Sequence, residues 1–201
     1  MAANTRDSRR EEILDRALDV ILEVGLGKLT FRRIADKIGF TEAAMFRYFP
    51  SKKALILSLM DRLDAMLLGP IREIAADADT PPARRLEAVL RHHVALVVRH
   101  NSLPMLLLAE ATASGDPRLL ARMRRILADY LEILRKIVDQ LPAADRPGAL
   151  PPGDCLALML LGIPSALAIR HRLLPDPAEE RRVSEELVPF VVTMLTDGRE
   201  S

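Results

Sequence analysis

Between Thr30 and Leu55 the chain reads TFRRIADKIGFTEAAMFRYFPSKKAL, and this stretch leaves little freedom in how it folds. Thr30 offers a hydroxyl to an orphan amide of a first helical turn, and Ile34, Ala35 and Ile38 then recur at helical spacing. Arg32, Arg33, Asp36 and Lys37 fall on the opposite face. Gly39 supplies the left-handed backbone angle that ends a helix, Phe40 packs beneath the turn, and Thr41 caps a second helix with Glu42 beside its positive end. That second helix is expected from Glu42 to roughly Phe49, after which Pro50 breaks it and Ser51 caps a much longer one. Two short helices joined by a tight glycine turn form a helix-turn-helix, whose second helix enters a DNA groove.

The side chains suit that task. Ala43 and Ala44 are small enough for a backbone to lie close to base edges, and their methyls can touch thymine methyls. Arg47 can reach a guanine edge or a phosphate, while Tyr48 and Lys52 suit phosphate oxygens. Net charge is only +1, but residues 1–60 hold 11 lysines and arginines against 8 acidic residues, and residues 61–201 hold 18 against 20. The basic excess therefore lies at the end that carries the turn.

The run FTEAAMFRYFPSKKAL, preceded by LTFRRIADKIG, resembles the N-terminal domain of TetR-type transcriptional repressors over about 45 residues. The resemblance implies an all-α fold of about nine helices, with a DNA-binding domain over residues 1–53 and a ligand-binding and dimerisation domain over 54–201. It also implies base or groove contacts from Arg32, Glu42, Ala43 and Ala44 and backbone contacts from Phe46, Arg47, Tyr48 and Lys52, and Arg33 and Thr41 complete the expected DNA-binding set. Phe46 stands where the family usually has Tyr, which removes one phosphate-donating hydroxyl. The function implied is a homodimeric repressor of a palindromic operator, released by a small ligand. The same fold also serves as a DNA-bound scaffold with a protein partner, as in its nucleoid-occlusion branch, and an enzyme with an accessory helix-turn-helix is a third reading.

The rest of the chain is periodic at 3.6 residues. Residues 1–7 read as a disordered arm whose Arg6, like Arg9 and Arg10 beyond it, either reaches DNA or is solvated, and a helix is expected from Ser8 to Val24. The helix opened by Ser51 runs to about Ala76, with a kink expected near Gly69-Pro70. Asp79-Thr80-Pro81-Pro82 starts a helix with His93, Val97 and His100 on its apolar stripe, a shorter segment runs from Leu103 to about Ala113, and Asp116-Pro117 starts a helix carrying Met123 and Tyr130. Pro142 to Pro152 holds four prolines and is expected to be a loop. Two last helices, about 154–172 and 178–196, are apolar on more than one face and contain Pro164 and Pro189, which should kink them. A second copy of the chain is the economical partner for their spare faces, giving an intermolecular four-helix bundle, and the family resemblance implies the same dimer.

His93, Val97, His100, Met105, Met123 and Tyr130 are the candidate ligand-binding residues. The two histidines lie about 10 Å apart along their helix, too far for one ion, so no metal site and no cofactor are expected; core histidines and pocket lining both remain open. Of the seven aromatic residues, Phe31, Phe40, Phe46, Tyr48 and Phe49 belong to the turn region, which leaves aliphatic walls for any pocket further on and points to an aliphatic or acyl-type ligand. No nucleophile elbow, phosphate-binding glycine loop or paired-cysteine motif is present, so catalysis is not expected. The single Cys155 and a charged N-terminus fit a cytoplasmic, nucleoid-associated protein, and the most apolar run, Cys155 to Ile169, is about 15 residues and short for a bilayer.

Overall fold

A computed structural model describes residues 2–141, 151–176 and 178–196. Its elements are α1 (Ala2–Val24), α2 (Phe31–Ile38), α3 (Glu42–Met45), α4 (Lys52–Ala76), α5 (Pro82–Arg99), α6 (Leu103–Ser114), α7 (Pro117–Val138), α8 (Gly153–Leu173), α9 (Glu179–Arg182) and α10 (Val188–Thr196). A 3-10 turn, Leu26–Lys28, leads from α1 towards α2, and a π-helical turn, Val183–Leu187, joins α9 to α10 without a break. With those last segments counted as one, the described residues form the all-α, nine-helix fold expected, without a strand. Residues 142–150 of the expected proline loop lie outside the described residues.

The chain divides into two compact units, Met1–Arg62 with Leu106–Met123, and Leu63–Met105 with Arg124–Ser201. In the first, α1 packs on α2 and α2 on α3. Ile13, Ala17 and Ile21 of α1, Ile34 and Ala35 of α2, Met45, Phe49, and Leu55, Ile56 and Leu59 of α4 form its apolar core. Full burial of each large aliphatic or aromatic side chain here stabilises the unit by about 1.5–3 kcal/mol before entropy is counted.

One expectation fails in this unit. The chain is helical from Ala2, not disordered up to residue 7, because the arginines of the first turns find partners within the protein. Arg6 Nη2 donates to the Arg47 carbonyl (3.1 Å), and Arg9 pairs with Glu12 (2.6 Å) while its guanidinium lies over the Phe40 ring. Arg10 donates to Ser58 Oγ (2.7 Å) and covers the Phe49 ring at 4.9 Å. These arginines stay exposed, but each is tied to a partner within the unit.

In the second unit α5 lies against α8 and α10. Leu86, Val89, Leu90, Val94 and Val97 of α5, Leu134, Ile137 and Val138 of α7, Leu160 of α8 and Val188 of α10 are buried. Arg85, buried at the start of α5, donates to the Ala75 carbonyl (2.9 Å) and to Gln140 Oε1 (2.6 Å), tying three helix ends together. The α5–α6 corner is made by Asn101 and Ser102, both at positive φ (46° and 60°), a conformation costing non-glycine residues about 1–3 kcal/mol each. Ser102 is fully buried and its hydroxyl donates to the Ala168 carbonyl of α8 (2.9 Å), which holds the corner in place.

α4 continues through Gly69-Pro70 and α8 through Pro164 as single helices. Near Pro189 the accommodation is visible: the wide π turn immediately precedes it, where a missing N–H and a bulky ring disfavour an ordinary turn. α8 runs for 21 residues, longer than the apolar run read from sequence, and by length and composition it is apolar enough to cross a membrane. Leu158, Met159, Ile169 and Leu173 of α8 and Phe190 and Met194 of α10 are exposed.

Candidate nucleic-acid interface

The turn is built as its chemistry dictates. Thr30 Oγ1 accepts from the Arg33 amide and Thr41 Oγ1 from the Ala44 amide, each at 3.2 Å, so both short helices begin at a capped amide. Gly39 takes the left-handed conformation (φ 68°, ψ 29°), and the amide of Phe40 returns to the Ala35 carbonyl at 3.0 Å. A side chain at residue 39 would strain that backbone. Ser51 Oγ accepts from the Ala54 amide (3.1 Å), the cap expected for α4.

α3 is shorter than its periodicity suggested, ending at Met45 rather than near Phe49. The amides of Arg47 and Tyr48 bond back to Ala44 and Met45, three residues earlier, so Phe46 to Tyr48 form tightened turns. The reason lies on both sides of the backbone. Met45 and Phe49 are driven fully into the core, while the Arg47 carbonyl is drawn to Arg6.

What stays outside is the chemistry. Arg32, Arg33, Thr41, Glu42, Ala43 and Arg47 are exposed, and Ala44, Tyr48 and Lys52 are half-buried. Among the described residues, Arg32, Arg33, Arg47 and Lys52 have no ion-pair partner, whereas Lys37 pairs with Glu23 (2.6 Å) and Lys53 with Asp116 (3.1 Å). Phe46 is 52% exposed and rests edge-on against Phe31, centroids 4.9 Å apart. Tyr48 stacks on Phe40 at 6.3 Å. α2 and α3 thus present unpaired cations, small side chains and rigidly backed aromatic edges on a core that cannot shift easily.

The Lys53–Asp116 pair places a second element in this unit. Asp116 is buried at the start of α7, where its carboxylate accepts from the Arg118 amide at 2.9 Å, as the Asp116-Pro117 signal predicted. Hydrogen bonds from the Arg118 side chain, then its amide, then Lys53 hold the carboxyl well below the usual carboxylate range. Arg122 further along α7 pairs with Asp61 of α4 (2.7 Å).

The candidate ligand residues separate. His93 and Tyr130 meet edge-to-face with centroids 4.9 Å apart, both buried, and Val97 is buried one turn beyond His93. His100 is the half-buried C-cap of α5, so it leaves the buried stripe that its spacing suggested. Met105 is half-buried in the first turn of α6, and Met123 belongs to the other compact unit. Burial, and second the charge of His92, hold the His93 imidazolium pKa down at about 3; burial pushes the Tyr130 hydroxyl well above its ordinary value. His92 itself is half-buried, with Nε2 2.9 Å from the Met66 carbonyl. No group of three or more metal-ligating side chains converges among the described residues. Arg85 and Ser102 carry no sequence signal beyond being polar in a helical chain.

Residues 13–59 match the family model described as bacterial regulatory proteins, tetR family. Over 164 residues, 81% of this chain and 83% of the relative, the sequence is 29% identical to the nucleoid occlusion factor SlmA of Vibrio cholerae. A transcriptional regulator of the TetR/AcrR family from Thermobifida fusca superposes with a TM-score of 0.69 at 26% identity, covering 96% of this chain and all of that one. The regulator FadR of Bacillus subtilis, solved in complex with stearoyl-CoA, shares the fold with a TM-score of 0.73 at 18% identity, over 92% of this chain and 98% of that one. The capped turn and the match over residues 13–59 make this segment similar to the DNA-binding segment of TetR-type regulators, and the helical fold is one that solved regulators of that kind share.

Proposed function

We propose that the protein is a homodimeric repressor that binds a palindromic operator through residues 1–53 and is released when a small aliphatic or acyl-type ligand enters the helical domain of residues 54–201. The observation that carries the DNA assignment is the set of unpaired cations, Arg32, Arg33, Arg47 and Lys52, around an α3 whose other side is locked by Met45 and Phe49. Arg32 and Arg33 flank the groove, Thr41, Glu42, Ala43 and Ala44 approach base edges, and Phe46, Arg47, Tyr48 and Lys52 engage the backbone. Such an interface works in the cytoplasm, on the nucleoid.

Exposed Leu158, Met159, Ile169, Phe190 and Met194 support dimerisation through α8 and the last helix, since a surface of this kind is stable only when covered. The same covering accounts for the apolar length of α8 without a bilayer. A dimer sets two recognition helices about one DNA turn, roughly 34 Å, apart or somewhat wider. Asp116, immediately before α7, is ion-paired to Lys53, beside Lys52. Within the second unit the candidate ligand residues are His93, Val97, His100, Met105 and Tyr130. Full switching of a population held at 99:1 needs the ligand to prefer the released state about 10⁴-fold.

A second reading is a DNA-bound scaffold that needs no small ligand, favoured by the match to a nucleoid occlusion factor over four-fifths of the chain. Challenging the protein–DNA complex with a lipid and metabolite extract separates the two. Loss of a selected DNA site on adding extract supports the ligand-released repressor, and retention of the site in every extract fraction supports the scaffold.

A further inference from the structure

Most of the polar groups buried in the second unit have partners. Ser102 donates to Ala168, and Arg85 uses two of its nitrogens and leaves only Nε unmatched. His93 Nδ1 and Tyr130 Oη do not: each is buried, each lacks a hydrogen-bond partner among the described residues, and the two rings touch. His93 is 5% exposed and Tyr130 2%. Their helix neighbours at one turn are apolar and buried: Val89, Leu90 and Val97 around His93, Ile126 and Leu134 around Tyr130. Leaving a hydrogen-bonding atom unmatched on each of two rings in contact within an apolar core is costly, and replacing both by Leu and Phe would remove the cost. Their pairing is what a site for one polar atom on an otherwise apolar molecule requires.

We infer that His93 Nδ1 and Tyr130 Oη together bind the single uncharged oxygen function of a mainly aliphatic ligand: an alcohol, ketone, ester or thioester carbonyl. Tyr130 donates its O–H, and His93 accepts or donates according to its tautomer, so the pair serves a hydroxyl or a carbonyl. A free carboxylate does not fit. Burial keeps both side chains neutral, and among the described residues neither is paired with a cation. An anion there would lose its hydration with no cation to replace it. This inference rests on the ligand-released reading above and specifies the chemistry of its ligand.

The test uses the purified chain and three probes built on a ten-carbon chain, decanol, methyl decanoate and sodium decanoate, with binding measured by calorimetry and by thermal shift. Decanol or methyl decanoate is expected to bind at least about tenfold more tightly than decanoate. Tyr130→Phe is expected to leave the melting temperature without probe unchanged or raised, because an unmatched hydroxyl is removed, and to weaken decanol binding by about tenfold. His93→Leu, which removes the second polar atom, is expected to weaken it likewise. Equal or tighter binding of decanoate, unaltered decanol binding in both variants, or no binding of either neutral probe overturns the inference. So does a lowered melting temperature in Tyr130→Phe without probe binding, which would mark the pair as a hydrated structural site. Decanol that binds but leaves the protein on DNA supports the site and contradicts the release reading, so the two can fail separately.

Discussion

The recognition turn and the α5–α7 core leave hydrogen-bonding capacity unused in opposite ways. Around α3 the unmatched groups are cations held outside, in water, above a core that is apolar at Met45 and Phe49. Between α5 and α7 the unmatched groups are neutral and inside, at His93 and Tyr130. Unpaired surface cations cost almost nothing and serve a long-range attraction to phosphate. Unpaired buried atoms cost stability and serve only a ligand that reaches them. On the proposed reading, one region recognises by charge at little cost to folding, and the other by shape and hydrogen bonds at the expense of stability.

The largest test of this contrast is in the reader's core. Phe49→Ala removes a fully buried ring under the turn and is expected to destabilise the first unit by about 3–5 kcal/mol, read by thermal or urea denaturation. A destabilisation below about 1 kcal/mol would mean that the turn is not held from beneath. The next effect separates the regions by pH. His93 has a folded pKa of about 3 against an ordinary 6.5, so the unfolded chain takes up a proton first as pH falls. Its contribution is fully present above pH 6.5 and is lost between 6.5 and about 3, at roughly 1.4 kcal/mol per pH unit. His93→Leu should flatten that acid limb of the stability curve, and an unchanged limb would place the imidazole in water.

Smaller effects belong to the surface. Arg47→Ala is expected to weaken specific DNA binding by about 1–3 kcal/mol and to relax preference at one base position if it reads guanine. Lys52→Ala should weaken all sequences alike and make the slope of log K against log salt shallower by about 0.9 for each phosphate that the lysine neutralises. Neither should alter the melting temperature, because neither side chain has an ion-pair partner among the described residues. Thr41→Ala comes last, at about 1 kcal/mol, through removal of the bond from the Ala44 amide to its hydroxyl.

Legibility in the sequence follows the same division. Thr30, Gly39, Thr41, Ser51 and Asp116 all act as local chemistry predicted, because a cap depends on residues within four positions of itself. Helix periodicity gave the order of elements for the same reason. The early end of α3 and the contacts of Arg6 and Arg10 are not readable, since both depend on partners more than 40 residues away. Spacing placed His93 and His100 on one stripe, but only the folded α5 shows His100 as its half-buried C-cap. The unmatched Tyr130 hydroxyl is likewise a property of packing between helices, with no local signature.

Selection of bound duplexes from a random pool, carried out with the natural chain and with an α3 variant combining Thr41→Ala, Glu42→Ala and Arg47→Ala, tests the central assignment most directly. A palindrome with half-sites about one helical turn or somewhat more apart, enriched by the natural chain and absent with the variant, is the predicted result. No enriched sequence, or the same sequence enriched by both proteins, would contradict DNA reading by α2 and α3.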